Sequence, residues 1–303
     1  MSMKSHPAFL LPGDEIRIIS PASAPEKDYI DKTAQALQKL GYKVTLGKNA
    51  LTVYHQFAGE DNLRLEDAQS AMDEKQVKAI FCARGGYGSI RIIDKLDFSH
   101  FRENPKWIVG FSDITVFHSL LNGQYRIPTI HSPMPVNYES PAFNENLDQL
   151  NDLLQGKLSA VQFGSHSLNR MGVTEGRLIG GNLSILHNLQ STPYEVDAKG
   201  KILFIEDVGE QLYHLDRMLN NFRLSGKLDS LSGLIVGSMT DMKDKKRPFG
   251  KSAYEIIAEA VKSYNYPLAF GFEAGHTENN VPFILGADIE FRVSKSGSEI
   301  RYS

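Results

Sequence analysis

The sequence predicts an α/β protein with a parallel sheet in its first half and further β-structure in its second, and three observations carry that expectation. Short β-rich runs alternate with helix-periodic segments up to about residue 120, a pattern that places helices on both faces of a parallel sheet. Polar or glycine-rich turns follow the strand runs, at the strand ends where such sheets bind ligands. Near the C-terminus, residues 289–293 and 299–301 flank Ser296-Gly297 as the two arms of a hairpin.

Residues 16–20 read as the first strand, followed by a loop over 21–25. Apolar spacing through Ile30, Ala34, Leu37 and Leu40 marks a helix that stops at Gly41. Residues 44–46 form a second strand, and Asp61 or Asn62 caps a helix carrying Leu65, Ala68, Ala71 and Met72. Residues 79–83 are a third strand, and Ile90, Ile93 and Leu96 mark another helix. Residues 107–111 are a fourth strand, ending at Ser112. Ser20, Arg84 and Ser112 thus all fall at the C-termini of strands. From Glu139 to about Gly176 the pattern loosens: Ser140-Pro141 opens the stretch, Leu147, Leu150, Leu153 and Leu154 suggest one helix, and residues 164–170 are polar. The expected division is a first domain over 1–145, a linker region over 146–175 and a second domain over 176–303. Strands over 202–205, 234–237 and 268–271 belong to the second.

Composition excludes several classes. The 303 residues carry 33 basic and 36 acidic side chains, a net charge of −3, with no long basic run, so neither nucleic acid nor an anionic membrane is the expected partner. One cysteine, Cys82, rules out an intramolecular disulfide framework and a cysteine-rich metal site; within a strand it reads as an inert core residue. No apolar stretch reaches membrane-spanning length. The start of the chain, Met1 to Pro7, lacks the apolar core of a signal peptide, because residues 8–11 are cut off by Pro12-Gly13-Asp14. A cytoplasmic protein is expected.

Four segments could carry chemistry. Gly110-Phe111-Ser112-Asp113 turns a strand into a helix at a serine, which can present both a nucleophile and the N–H donors for the oxyanion it creates; Ser-Asp before a helix is also an ordinary N-cap. Arg84-Gly85-Gly86-Tyr87-Gly88 is a glycine turn at a strand end, open to three readings: a plain tight turn, an anion or oxyanion donor, or a nucleotide cradle. Nucleotide binding lacks support, since Arg91 stands where the dinucleotide fingerprint needs its third glycine and no Gly-Lys-Ser/Thr is present. Glu206 ends an apolar strand, as a cap or ion-pair partner or as the carboxylate of a relay. His276 lies in the polar loop Gly275-His276-Thr277-Glu278, and His131, before Ser132-Pro133, is its one competitor. His276 with Glu278 is too small a set for a metal, and no cofactor is called for. Ser112, Glu206 and His276 follow the chain order of α/β-hydrolase triads, although Ile114 replaces the last glycine of their elbow.

The chain resembles the serine LD-carboxypeptidases, which include muramoyltetrapeptide carboxypeptidases and microcin C self-immunity peptidases. The matches are Leu11-Pro-Gly-Asp14, Arg84-Gly-Gly-Tyr-Gly88, Gly110-Phe-Ser-Asp113, Gly180-Gly-Asn182, Ile205-Glu-Asp207, and Gly275-His276 with Asn280-x-Pro282, all in order. The resemblance implies a flavodoxin-like N-terminal domain, a smaller β-rich C-terminal domain, an active site between them and a homodimer. It implies Ser112 as nucleophile, His276 as general acid/base, Glu206 as its orienting carboxylate, and backbone N–H groups of Asp113, Gly85 and Gly86 as the oxyanion hole. Arg84 would either hold the substrate's terminal carboxylate or brace its own loop. The implied reaction releases D-alanine from a murein tetrapeptide. Cleavage of peptidyl-nucleotide toxins is the alternative within the family, where Tyr138 or Tyr194 would have to clamp the base because the only tryptophan, Trp107, lies in a core strand. A non-enzymatic ligand-binding protein is the alternative outside it.

Overall fold

The computed structural model describes residues 6–303 and lays the chain out as two sheets with helices packed around them. Residues 1–5, part of the leader argument above, lie outside the described residues. The first half supplies β1 (Glu15–Ile19), α1 (Lys27–Lys39), β2 (Lys43–Leu46), α2 (Asp61–Asp73), β3 (Val77–Cys82), α3 (Ser99–Glu103), β4 (Trp107–Gly110), α4 (Thr115–Leu120) and β5 (Thr129–His131). Its strands lie in the order β2-β1-β3-β4-β5, all parallel, which is the flavodoxin-like winding. β1, β3 and β4 are covered on both faces, as parallel strands require. Ile16, Ile18, Phe81, Trp107 and Val109 pack with α1 and the helix after β5 on one side, and Ile19, Ile80, Cys82 and Ile108 with α2 and α4 on the other. Ligand sites of this winding lie beyond the strand C-termini, where Arg84 and Ser112 stand.

The second half supplies α5 (Phe143–Leu154), β6 (Ala160–Phe163), β7 (Gly172–Asn182), α6 (Leu183–Asn188), β8 (Ile202–Val208), α7 (Leu212–Leu224), β9 (Gly233–Thr240), α8 (Ala253–Ala260), β10 (Leu268–Phe270), β11 (Phe283–Leu285), β12 (Asp288–Val293) and β13 (Ser298–Tyr302). The second sheet runs β10-β9-β8-β7-β12-β13-β6; its β7 to β10 portion is parallel and the rest antiparallel, with β12 and β13 forming the hairpin expected across Ser296-Gly297. β11 leaves this sheet and pairs antiparallel with β5. Between the sheets, the His131 ring lies 5.2 Å from Phe204 and 4.9 Å from Phe283, in an aromatic layer that also holds Phe111.

The structure departs from the sequence expectations at four places. Ile90 and Ile93 lie on two short 3₁₀ turns, Ser89–Arg91 and Ile93–Lys95, and Leu96 follows the second in extended backbone, because Ile92 takes φ −119° and breaks the helical run between the turns. Asp61 does not cap α2; Glu60 holds the cap position without a side-chain bond, and Asp61 instead pairs with Arg64 and Arg91. Residues 146–175 hold most of α5, all of β6 and the start of β7, so the stretch expected as a linker is largely regular structure. β7 itself was not expected, because Gly176, Gly180 and Gly181 weaken its strand signal. Among the described residues no helix is long and apolar enough to cross a membrane.

Candidate active site

Three strand ends deliver the chemistry-bearing side chains. β4 finishes at Gly110, and after Phe111 the chain turns into the 3₁₀ segment Ser112–Ile114 and then α4. Ser112 makes that turn at φ +62°. A left-handed conformation costs a residue with a side chain on the order of 1–2 kcal/mol, and such strain collects at functional turns. Glu206 sits near the C-terminal end of β8, fully buried. His276 lies in the loop between β10 and β11.

That loop is held from several directions. The Gly275 amide donates to Asn280 Oδ1 at 2.8 Å, and the Thr240 hydroxyl donates to the His276 carbonyl at 2.6 Å. Asn146 Nδ2 on α5 donates to Asn279 Oδ1 at 2.9 Å. Gly275 has φ +113°, and a side chain there would begin 2.6 Å from Glu206 Oε2 and 2.7 Å from Ser238 Oγ, so glycine alone lets the loop descend onto β8.

His276 bridges the other two residues. Its Nδ1 stands 2.7 Å from Glu206 Oε2 and its Nε2 stands 3.2 Å from Ser112 Oγ. An ionised carboxylate only accepts, so Nδ1 carries the hydrogen and donates to Glu206, leaving the Nε2 lone pair for the Ser112 hydroxyl. The imidazole is held against Phe111, with ring centroids 4.8 Å apart. Burial acts to depress the imidazole below its ordinary 6.5, but the Glu206 carboxylate outweighs it and the net direction is upward. Asp207, next to Glu206, has its carboxyl pushed up to about 7, first by burial and then by the neighbouring Glu206 charge.

The glycine turn faces the same point. A side chain at Gly85 would begin 3.2 Å from Ser112 Oγ and 3.2 Å from the Asp113 amide nitrogen. The turn is pinned on both sides: Ser89 N donates to Asp113 Oδ2 at 2.8 Å, Tyr87 N donates to Ser23 Oγ at 3.2 Å, and Ser23 N donates to Gly85 O at 3.1 Å. Gly86 lies at the exposed tip of this turn. The half-buried Arg84 donates from Nη1 to Ala24 O at 2.9 Å. A cleft of about 500 Å³ opens beside His276, walled by Tyr29, Asn137, Glu139, Thr240 and Glu278.

The structure therefore brings Ser112, Glu206 and His276 together, with Asp113 and Gly85 beside Ser112, Gly86 at the exposed tip of the turn against Ser23, and Arg84 next to the turn. His131, the competing histidine, is fully buried, touches the phenyl rings of Phe111, Phe204 and Phe283, and has neither ring nitrogen hydrogen-bonded. Burial pushes it well below its ordinary value. Cys82 is buried in β3 and burial raises its thiol, which makes it inert. Among the described residues no three His, Cys, Asp or Glu side chains are grouped to hold a metal ion. The sequence reading attached no role to Thr115, Asn182, Asp207 or Asn280. The signal was present for Asn182, a capping residue type after Gly-Gly at a strand end, and its Oδ1 accepts from Ile185 N at the start of α6.

An arrangement of hydroxyl, imidazole and buried carboxylate in this order can transfer a proton from the serine and return it to a leaving group, which is the chemistry of acyl transfer. Known proteins resemble the chain in sequence and in fold. Residues 16–132 match the N-terminal domain of the LD-carboxypeptidases and residues 175–291 match their C-terminal domain. A probable murein peptide carboxypeptidase of Bacillus subtilis is 33% identical over 94% of this chain and 91% of its own. The murein tetrapeptide carboxypeptidase of Pseudomonas aeruginosa is 32% identical over 88% of this chain and 89% of its own. Among solved structures, a muramoyltetrapeptide carboxypeptidase from Oxalobacter formigenes superposes with TM-score 0.85 at 26% identity, over 95% of this chain and 98% of the other. The microcin C7 self-immunity protein in complex with glutamyl sulfamoyl guanosine superposes with TM-score 0.87 at 21% identity, over 99% of both chains, a likeness of fold.

Proposed function

This chain belongs to the LD-carboxypeptidase family, and from that premise we propose that it is a serine peptidase that removes a C-terminal D-amino acid from murein tetrapeptides, in the cytoplasmic recycling of cell-wall fragments. The observation that carries the reading is the placement of His276 between Glu206 at 2.7 Å and Ser112 at 3.2 Å. The murein peptides themselves come from the relatives, two of which are named as acting on them.

In this reading the Ser112 oxygen attacks the carbonyl that joins the third residue to the terminal D-alanine, while its proton passes to His276 Nε2. The oxyanion lies against the amide N–H groups of Asp113 and of the Gly85-Gly86 turn, and removing one such donor in comparable sites costs about 2.7–4 kcal/mol. Glu206 keeps Nδ1 protonated and stabilises the imidazolium that forms. As the tetrahedral intermediate collapses, the C–N bond breaks and the imidazolium gives its proton to the departing amine. Water then attacks the acyl-serine with His276 as base, the tripeptide leaves with a new carboxylate, and Ser112 recovers its proton. Arg84, beside the turn, is the group proposed to hold the carboxylate of the D-residue.

Peptidyl-nucleotide substrates gain no specific support from this chain. Trp107, its only indole, is buried in β4 with Nε1 donating to Ala8 O, and offers no surface for a base. The deciding experiment is mass spectrometry of a tetrapeptide digest. Loss of one alanine by the wild type and none by Ser112→Ala, with an unchanged circular dichroism spectrum, is expected. Alanine release at the wild-type rate by Ser112→Ala removes the assignment.

A further inference from the structure

Gly180-Gly181-Asn182 and the Asp207 that follows Glu206 have no part in the proton transfers above, yet Asp207 is the chain neighbour of Glu206 and Asn182 is hydrogen-bonded to Asp207. Asn182 is the β7 residue registered against Glu206 in the β7–β8 ladder. Its backbone N–H donates to Thr115 Oγ1 at 3.0 Å, and Thr115 is the first residue of α4, one helical turn beyond Ser112. Asn182 Nδ2 donates to Asp207 Oδ1 at 3.0 Å, while Asp207 Oδ2 accepts from Ser184 N at 2.9 Å. A side chain on Gly181 would begin 2.4 Å from Thr115 Oγ1, so the bare glycine is what lets α4 approach β7 this closely.

These contacts close a ring. Ser112 reaches His276, His276 reaches Glu206, Glu206 is bonded to Asp207, and Asp207 returns through Asn182 to Thr115, where α4 continues from the Ser112–Ile114 turn. Ser112 comes from the first sheet and Glu206 from the second, so the 3.2 Å separation of Ser112 Oγ from His276 Nε2 depends on how those two bodies are seated. Thr115, Asn182 and Asp207 are 0%, 3% and 1% exposed, which leaves water no access to replace a lost bond.

We propose that Thr115, Asn182 and Asp207 are positioning residues, a latch that seats the Ser112 turn against the strand end carrying Glu206. The proposal rests on the serine-peptidase reading above. None of the three touches substrate; they act by holding the distance across which the proton moves. A misplacement near 1 Å costs such a site about 100-fold.

The test is Thr115→Val in the full chain, which keeps the shape and removes the acceptor, assayed on murein tetrapeptide. The expected result is a fall in kcat of roughly 10- to 100-fold with KM within about twofold, a parallel fall in the rate at which a fluorophosphonate labels Ser112, and recovery of kcat in Thr115→Ser. Wild-type kcat in Thr115→Val overturns the latch, and so does a Thr115→Ser variant as impaired as Thr115→Val, which would mean that the methyl group matters and the acceptor does not. A wild type that releases no alanine sinks the peptidase reading instead. The latch is then judged, as it is if Thr115→Val does not fold, by hydrogen exchange at the Asn182 amide of the wild type. Slow exchange supports it, and exchange as fast as in an exposed loop overturns it.

Discussion

Gly85 and Ser112 approach so closely that a methyl group on Gly85 would begin 3.0 Å from Ser112 Cβ and 3.2 Å from its Oγ. The contact defines one wall of the site: the hydroxyl faces bare backbone of the glycine turn after β3 on one side and the His276 ring on the other. The space that Gly85 leaves open is the space an oxyanion formed at Ser112 would need.

Gly85→Ala therefore crowds the Ser112 hydroxyl and fills the space beside it while leaving all three triad side chains chemically unchanged. We expect kcat/KM on murein tetrapeptide to fall by about 100- to 1,000-fold, the loss seen when an oxyanion donor is disabled. The melting temperature should move by only a few degrees, because the turn stays pinned through Ser23 and Asp113. Steady-state kinetics beside a thermal melt separate the two effects, and an active Gly85→Ala variant would show that the turn is only structural.

The pH profile reports on Glu206. The imidazole of His276 sits above 6.5 because the carboxylate beside it outweighs burial, so kcat/KM should rise with pH and reach half its plateau above 6.5 as the imidazolium loses its proton. In Glu206→Gln burial is opposed only by the more distant Asp207 carboxyl, and the half-rise should shift to lower pH while the plateau drops by about 10,000-fold, as for loss of the carboxylate in a serine-protease triad. The linkage has a matching sign. A raised folded value means the pair stabilises the protein fully below the unfolded imidazole value and loses that contribution as pH rises through the folded one. Urea titrations of wild type and Glu206→Gln on either side of that window should converge at the alkaline end.

The candidate positions of this site were legible because each stands at or after the end of a strand whose apolar run is easy to see: residues 107–110 before Ser112, 202–205 before Glu206, and 268–270 before His276. The choice of role for each came only with the family resemblance. The parallel sheet of the first half, with helices on both faces, follows from the same alternation, whereas its flavodoxin-like winding was implied only by the family resemblance. Other parts carried no local signal. β7 hides its strand character behind four glycines, of which Gly180 lies against Phe204 of β8 and Gly181 against Thr115 of α4, where a side chain has no room. β11 is three residues long and pairs with β5, some 150 positions earlier, so nothing near Phe283 announces it. The Thr115–Asn182 bond spans 67 positions and is a property of packing, which periodicity does not report. Ile90, Ile93 and Leu96 misled for the opposite reason: their spacing suits an α-helix, but the segment follows a glycine turn held by Asp113 and folds as separate 3₁₀ turns.

Arg84 divides two roles that kinetics can separate. Its Nη1 already donates to Ala24 O, which ties the strand end to the loop over 21–25 and should make Arg84→Ala less stable by about 1 kcal/mol. If the guanidinium also receives the substrate carboxylate, the same variant should raise KM at least tenfold with kcat largely retained. An unchanged KM with the lower stability would leave the bracing role alone.

Lys106 offers a control far from the chemistry. It precedes β4 at the end opposite Ser112, is 3% exposed, and its Nζ donates to the carbonyls of Ala71, Met72 and Glu74 at 2.8, 2.7 and 2.6 Å. Those oxygens belong to the last turn of α2 and the residue beyond it, where a helix lacks internal donors and its dipole favours a cation. Burial pushes the ammonium down to about 8, so it is still charged at neutral pH and supplies all three hydrogens. Lys106→Met keeps the apolar stem, strands the buried carbonyls of Ala71 and Met72 and leaves that of Glu74 with the Val77 amide alone, at a cost of about 2–4 kcal/mol. The urea midpoint should fall accordingly while kcat and KM on murein tetrapeptide stay at wild-type values below the transition. A Lys106→Met variant as stable as wild type would mean that water reaches these carbonyls, and one with altered kcat would mean that the α2 end and the Ser112 turn are mechanically coupled through β4.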